Sequence, residues 1–165
     1  MKIVHLILGM IQTGEFNNFG RIPEWDFNPN FIFKVLLAAF AGLLIGMERE
    51  YKGKAAGLKT NILVAVGACT FVSLSLKFFE NDTVDITRVL SQVVIGVGFL
   101  GGGVILKKEN AIHGLTTAAT VWCSAAAGCI AAFYLVTDLI LFTCLVLLVN
   151  IVFGWFDNKV GNDMG

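Results

Sequence analysis

The chain has 165 residues, 56% apolar and 15% charged, with 12 Lys+Arg balancing 12 Asp+Glu. A soluble domain carries about 25% charged residues to cover its surface, so this composition excludes a disordered chain, a nucleic-acid binder driven by net charge and most soluble enzymes. An integral membrane protein remains: at about 20 residues per helical crossing, the length allows about five crossings and no separate soluble domain.

Residues 3–11 are apolar but too short to span, and residues 12–30 hold Pro23, Pro29 and several Asn, Asp and Gly, the composition of a loop. Residues 1–30 are therefore expected to form an extracytoplasmic or interfacial segment. Five apolar runs follow, at about 31–47, 61–79, 89–106, 112–134 and 136–156, and residues 157–165 read as a short tail. The runs are continuously apolar and show no alternation, which excludes membrane strands and predicts an all-α, polytopic transmembrane helix bundle. Arg49, Lys52, Lys54 and Lys59 follow the first run, and Lys107 and Lys108 follow the third. The loop after the second run mixes Arg88 with Glu80, Asp82 and Asp85, and the loop after the fourth has only Asp138. Positive loops stay in the cytoplasm, so the N-terminus is expected outside and the C-terminus inside.

Cys69, Cys123, Cys129 and Cys144 all lie in apolar runs, form no C-x-x-C pair and share the chain with only His5 and His113. Neither a disulfide framework nor a metal site nor any cofactor is expected. Small residues recur every four positions at Ala38, Gly42 and Gly46, at Gly98 and Gly102, and at Thr120, Ser124, Gly128 and Ala132. Helices in lipid associate by close backbone approach, which makes Gly42, Gly46, Gly98, Gly102 and Gly128 the expected packing positions. The run Gly96-Val97-Gly98-Phe99-Leu100-Gly101 matches a nucleotide-binding fingerprint, but it lies inside an apolar span with no strand before it. Five glycines in eight residues there predict a very close helix crossing or a local break lined by protein.

Glu48 and Arg49, at the end of the first run, read equally as a structural ion pair or a functional site. Lys52, Lys54 and Lys59 read as loop cations, with Thr60 or Asn61 capping the next helix. Thr116, Thr117 and Thr120 open the fourth run, where they either return hydrogen bonds to their own helix or offer oxygen ligands. With the orientation above, these threonines, Thr60, Asn61 and Asn150 pool toward the cytoplasmic half, and one inward-facing polar cavity would explain that asymmetry.

Four stretches together resemble the MgtC/SapB family of bacterial inner-membrane proteins: Gly42-Leu-Leu-Ile-Gly-Met-Glu-Arg-Glu50, Ala56-Gly-Leu-Lys-Thr60, Gly96-Val-Gly-Phe-Leu-Gly-Gly-Gly-Val-Ile105 and Gly114-Leu-Thr-Thr-Ala-Ala-Thr-Val-Trp-Cys-Ser-Ala-Ala126. The resemblance covers about Leu36 to Ala132 and implies a bundle of about five helices in the bacterial inner membrane. It also implies a link to survival under magnesium limitation and to virulence, exerted through other membrane proteins such as the F-type ATP synthase or a magnesium transporter. Carried onto this chain, its functional positions are Glu48, Arg49, Thr116 and Cys123. Thr116 stands where some members have Asn, so an amide-dependent contact would be altered. Many members carry a C-terminal cytoplasmic domain, and this chain reads as a short form without it.

Two functions follow as expectations. One is a regulator working through intramembrane contacts with partner proteins and lipid, without catalysis. The alternative is a Mg²⁺ channel or transporter, with homo-oligomerisation bringing several Glu48 carboxylates together. The candidate partner or ion site is Glu48, Arg49, Thr60, Asn61, Thr116, Thr117, Thr120 and Cys123.

Overall fold

Hydrocarbon cannot hydrogen-bond a backbone, so an apolar run that enters it closes its own N–H···O=C bonds as a helix. The structure, a computed structural model, describes residues 29–79, 85–108 and 111–162. In chain order these form α1 (Pro29–Tyr51), α2 (Leu58–Phe79), α3 (Ile86–Val104), the strands β1 (Leu106–Lys108) and β2 (Ala111–His113), α4 (Leu115–Ala132) and α5 (Val136–Asn162). All five helices are long and apolar enough to cross a membrane. The expected N-terminal segment, up to residue 28, lies outside the described residues, as do residues 80–84, 109–110 and 163–165.

Several boundaries differ from the sequence reading: α1 continues past 47 to Tyr51, and α2 begins at Leu58 instead of 61. The helix α3 stops at Val104, and the strands Leu106–Lys108 and Ala111–His113 pair antiparallel, Leu106 opposite His113 and Lys108 opposite Ala111. Gly114 then starts α4 with φ +90°, and a Cβ there would run into the Val104 carbonyl, so the fourth helix begins at Leu115 instead of 112. The helix α5 continues to Asn162, so residues 157–162 are helical.

Helix ends are fixed by local chemistry. Asp85 caps α3, accepting hydrogen bonds from the Thr87 hydroxyl at 2.6 Å and the Thr87 N–H at 2.9 Å, and these hold its carboxyl below the usual aspartate range. The N-terminus of α2 is capped by Glu50, whose Oε2 accepts from the Leu58 N–H at 2.9 Å, where a carboxylate also meets the positive end of the helix dipole. Neither Thr60 nor Asn61 performs that role.

Small residues place α4 at the centre. It packs against α1, α2, α3 and α5, and half of its spanning window is buried, against 11% for α3. Backbones approach closely where the side chain is one hydrogen. A Cβ on Gly42 would lie 2.7 Å from the Asn61 carbonyl oxygen, one on Gly46 would lie 2.8 Å from Leu58 Cα, and one on Gly128 would overlap the Ala65 carbonyl. The apolar core joins Ala38 and Ile45 of α1, Ala65 and Val72 of α2, Ala127 and Ala131 of α4, and Leu139 and Val146 of α5.

Gly98 and Gly102 behave otherwise. They are exposed, and a Cβ on either would meet nothing within 4 Å. The helix is continuous through all five glycines, so there is no local break, and only Gly101 faces a neighbour, with Ala118 Cβ at 3.6 Å. The expected packing at Gly98 and Gly102 is thus absent within the protomer, because these two positions face outward from α3.

Candidate functional site

The last turn of α1, the start of α2, the first half of α4 and the second half of α5 converge at one end of the bundle, beside the loop carrying Lys52 and Lys54. Arg49 is 2% exposed, an expensive position for a charge in lipid unless it is paired. Its Nη2 donates to Thr117 Oγ1 at 3.0 Å and its Nη1 lies 3.9 Å from Glu48 Oε2. Glu48 is enclosed too, with 8% of its side chain exposed, and Lys52 Nζ stands 2.7 Å from Oε1. The Lys52 ammonium thus makes a charge-assisted contact with Oε1, while the Arg49 guanidinium lies farther off, and attraction to these two cations holds the carboxylate.

Lys52 also donates to the Asn150 carbonyl at 2.7 Å. Its side chain reaches α5 through the notch at Gly154, where a Cβ would sit 2.5 Å from Nζ. Asn150 Oδ1 is 3.5 Å from Thr120 Oγ1, at the limit of a hydrogen bond, since Thr120 gives its single proton to the Thr116 carbonyl at 2.8 Å. Further along α4, Ser124 Oγ donates to Asn61 Oδ1 at 2.7 Å. The Asn61 amide in turn donates to the carbonyls of Ala56 and Gly57 at 3.0 and 2.7 Å, tying the α1–α2 loop to the bundle.

The sequence-predicted residues therefore separate. Glu48, Arg49, Asn61, Thr117 and Thr120 join one buried polar network. Thr60 and Thr116 are exposed, and Thr116 enters only through its backbone carbonyl. Cys123 is half-buried against the apolar core, away from the charges. Sequence reasoning placed Lys52 among the loop cations, yet it is the nearest partner of Glu48. Its spacing of four residues from Glu48 on one helix was the available signal. Ser124 and Asn150, noted respectively as a small residue and a polar one, are also members. Instead of lining an open polar cavity, the side chains close on one another: Asn61 and Ser124 have no exposed surface. Among the described residues, no three His, Cys, Asp or Glu side chains gather as a metal site would require.

Comparison with known proteins places this arrangement. The family model for the MgtC family matches residues 35–159. An uncharacterized protein of Synechocystis sp. is 41% identical over 128 residues, covering 78% of this chain and 53% of that protein. Protein MgtC of Brucella abortus is 46% identical over 113 residues, covering 68% and 47% of the two chains. Protein MgtC of Salmonella typhimurium is 38% identical over 122 residues, covering 74% and 52%. The chain thus spans about half the length of the curated relatives it matches. No solved structure matches it. With the family pattern covering every helix and the polar network between them, this multi-pass membrane protein belongs to the MgtC family.

Proposed function

We propose that the protein is a non-catalytic regulator of the bacterial inner membrane, active in adaptation to magnesium limitation or a related stress through intramembrane contacts with partner membrane proteins. The F-type ATP synthase or a magnesium transporter is the partner class that family resemblance suggests. One observation carries the choice of regulator over channel: the Glu48 carboxylate is already neutralised by Lys52 and Arg49 and enclosed by its own protomer. A hard divalent cation prefers several carboxylate and water oxygens. Here it would meet one carboxylate beside two positive charges. The same network links α1, α2, α4 and α5, as suits a scaffold that presents helix faces.

Purified protein in liposomes is expected to carry no magnesium flux above that of empty vesicles, while crosslinking in native membranes is expected to recover a partner membrane protein. A flux abolished by Glu48→Gln would overturn this reading in favour of a channel or transporter.

A further inference from the structure

The least buried of the five helices, α3, carries features that the bundle does not use. Its glycines at 96, 98, 102 and 103 meet nothing within 4 Å, although each glycine weakens a helix by about 1 kcal/mol relative to alanine. Between α2 and α3 runs an apolar groove of about 640 Å³, lined by Leu63, Gly67 and Phe71 on one side and Gln92, Gly96 and Leu100 on the other. Gly67 and Gly96 are both open toward it.

Gln92 decides what covers this groove. It is exposed, lies six residues into α3 and so about 9 Å below its start, and its side chain makes no hydrogen bond among the described residues. An amide at that depth gains from a partner carrying both a donor and an acceptor. Two copies inserted in the same orientation are related by an axis along the membrane normal, which puts both Gln92 side chains at one depth. Each amide then donates to the other. The same face also holds its own knob and hole. Gln92, Gly96, Phe99 and Gly103 follow one another at spacings of four, three and four, the seam of a left-handed helix pair. Phe99, 83% exposed, is the large ring of that seam.

We propose that the outer face of α3 and the α2–α3 groove form the interface with a second copy of this chain, through a parallel α3–α3 contact closed by paired Gln92 amides. The contact involves none of the buried polar network, so it stands or falls independently of the regulator reading.

Association of the full chain can be measured by single-molecule photobleaching in phosphatidylethanolamine–phosphatidylglycerol vesicles across a range of dilutions. Wild type is expected to dimerise. Removing two interhelical hydrogen bonds by Gln92→Leu is expected to weaken the dimer about sevenfold, and filling the groove by Gly96→Leu at least as much. Gly98→Leu, about a third of a turn away, is expected to leave association unchanged. Since a Cβ at Gly96 or Gly98 would meet nothing within 4 Å and Gln92 is exposed, each variant is expected to keep its helical circular dichroism. Under oxidant, Gln92→Cys should form a disulfide with the same position of a second copy, identified by the mass of the linked peptide. A monomeric wild type at every dilution, dimers unaffected by both Gln92→Leu and Gly96→Leu, or crosslinking of position 92 only to a different protein would each overturn the proposal.

Discussion

Arg49 and Thr117 sit on different helices, 68 positions apart in sequence, yet they share a buried hydrogen bond of 3.0 Å. Removing one partner of an enclosed ion pair leaves the other uncompensated, which costs about 3–5 kcal/mol. Arg49→Ala is therefore expected to lower the unfolding free energy in detergent by about that amount. Lys52→Ala frees the Asn150 carbonyl and the nearest counter-charge of Glu48, at an expected cost of about 1–3 kcal/mol. Lys54, exposed in the loop, should change stability by less than about 0.5 kcal/mol when replaced by alanine. Equal losses in all three variants would mean that loop charge, and not the network, is what matters. Arg49→Lys is also expected to be damaging, because an ammonium lacks the planar fork that spans Thr117 and Glu48.

At the scale of the helix, glycine has two meanings in this chain. Gly128 lets α4 approach the backbone of α2 at Ala65, so Gly128→Ala forces the central helix away from its neighbour. Overpacking of this kind costs about 1–3 kcal/mol. Gly98 is in an α-helix with open space around it, so Gly98→Ala relieves only the intrinsic helix penalty and is expected to gain about 1 kcal/mol. Thermal unfolding in detergent should move in opposite directions for the two variants. A destabilised Gly98→Ala would place that face in contact with something. The step from β2 into α4 shows a different use: with φ +90° at Gly114, the chain turns sharply enough to enter α4 beside the Val104 carbonyl.

For the whole molecule, five serial crossings set both ends of every loop. The carboxyl end of α1, the amino end of α2, the paired strands and the amino end of α4 are on one side, and Arg49, Lys52, Lys54, Lys59 and Lys107 are all at that end. By the orientation rule we propose that this is the cytoplasmic end. A cysteine introduced at position 54 is expected to react with impermeant maleimide only from the cytoplasm, and one at position 83 only from the opposite side. Reversed labelling would invert the molecule and put the polar network in the outer leaflet. Since α4 touches all four other helices, a lesion there should loosen the entire bundle, whereas one on the outer face of α3 should leave the fold intact.

Composition and the length of the apolar runs by themselves determined the class, the number of crossings and the approximate spans, because the requirement that backbone groups be satisfied in lipid acts on each segment locally. The family pattern was legible for the same reason: its motifs are contiguous. Tertiary structure alone decided which of two adjacent threonines is buried, since Thr116 and Thr117 differ by 100° around α4 and only the position of α1 selects one. It likewise separated Gly128 from Gly98, identical residues whose roles depend on whether another backbone lies opposite. The strand pair after α3 went unforeseen because three-residue strands carry too little periodicity to read. The pairing of Lys52 with Glu48 and Asn150 needed α5 in place, for an ammonium at the end of a helix looks the same in sequence whether it faces water or reaches across a glycine notch to a carbonyl.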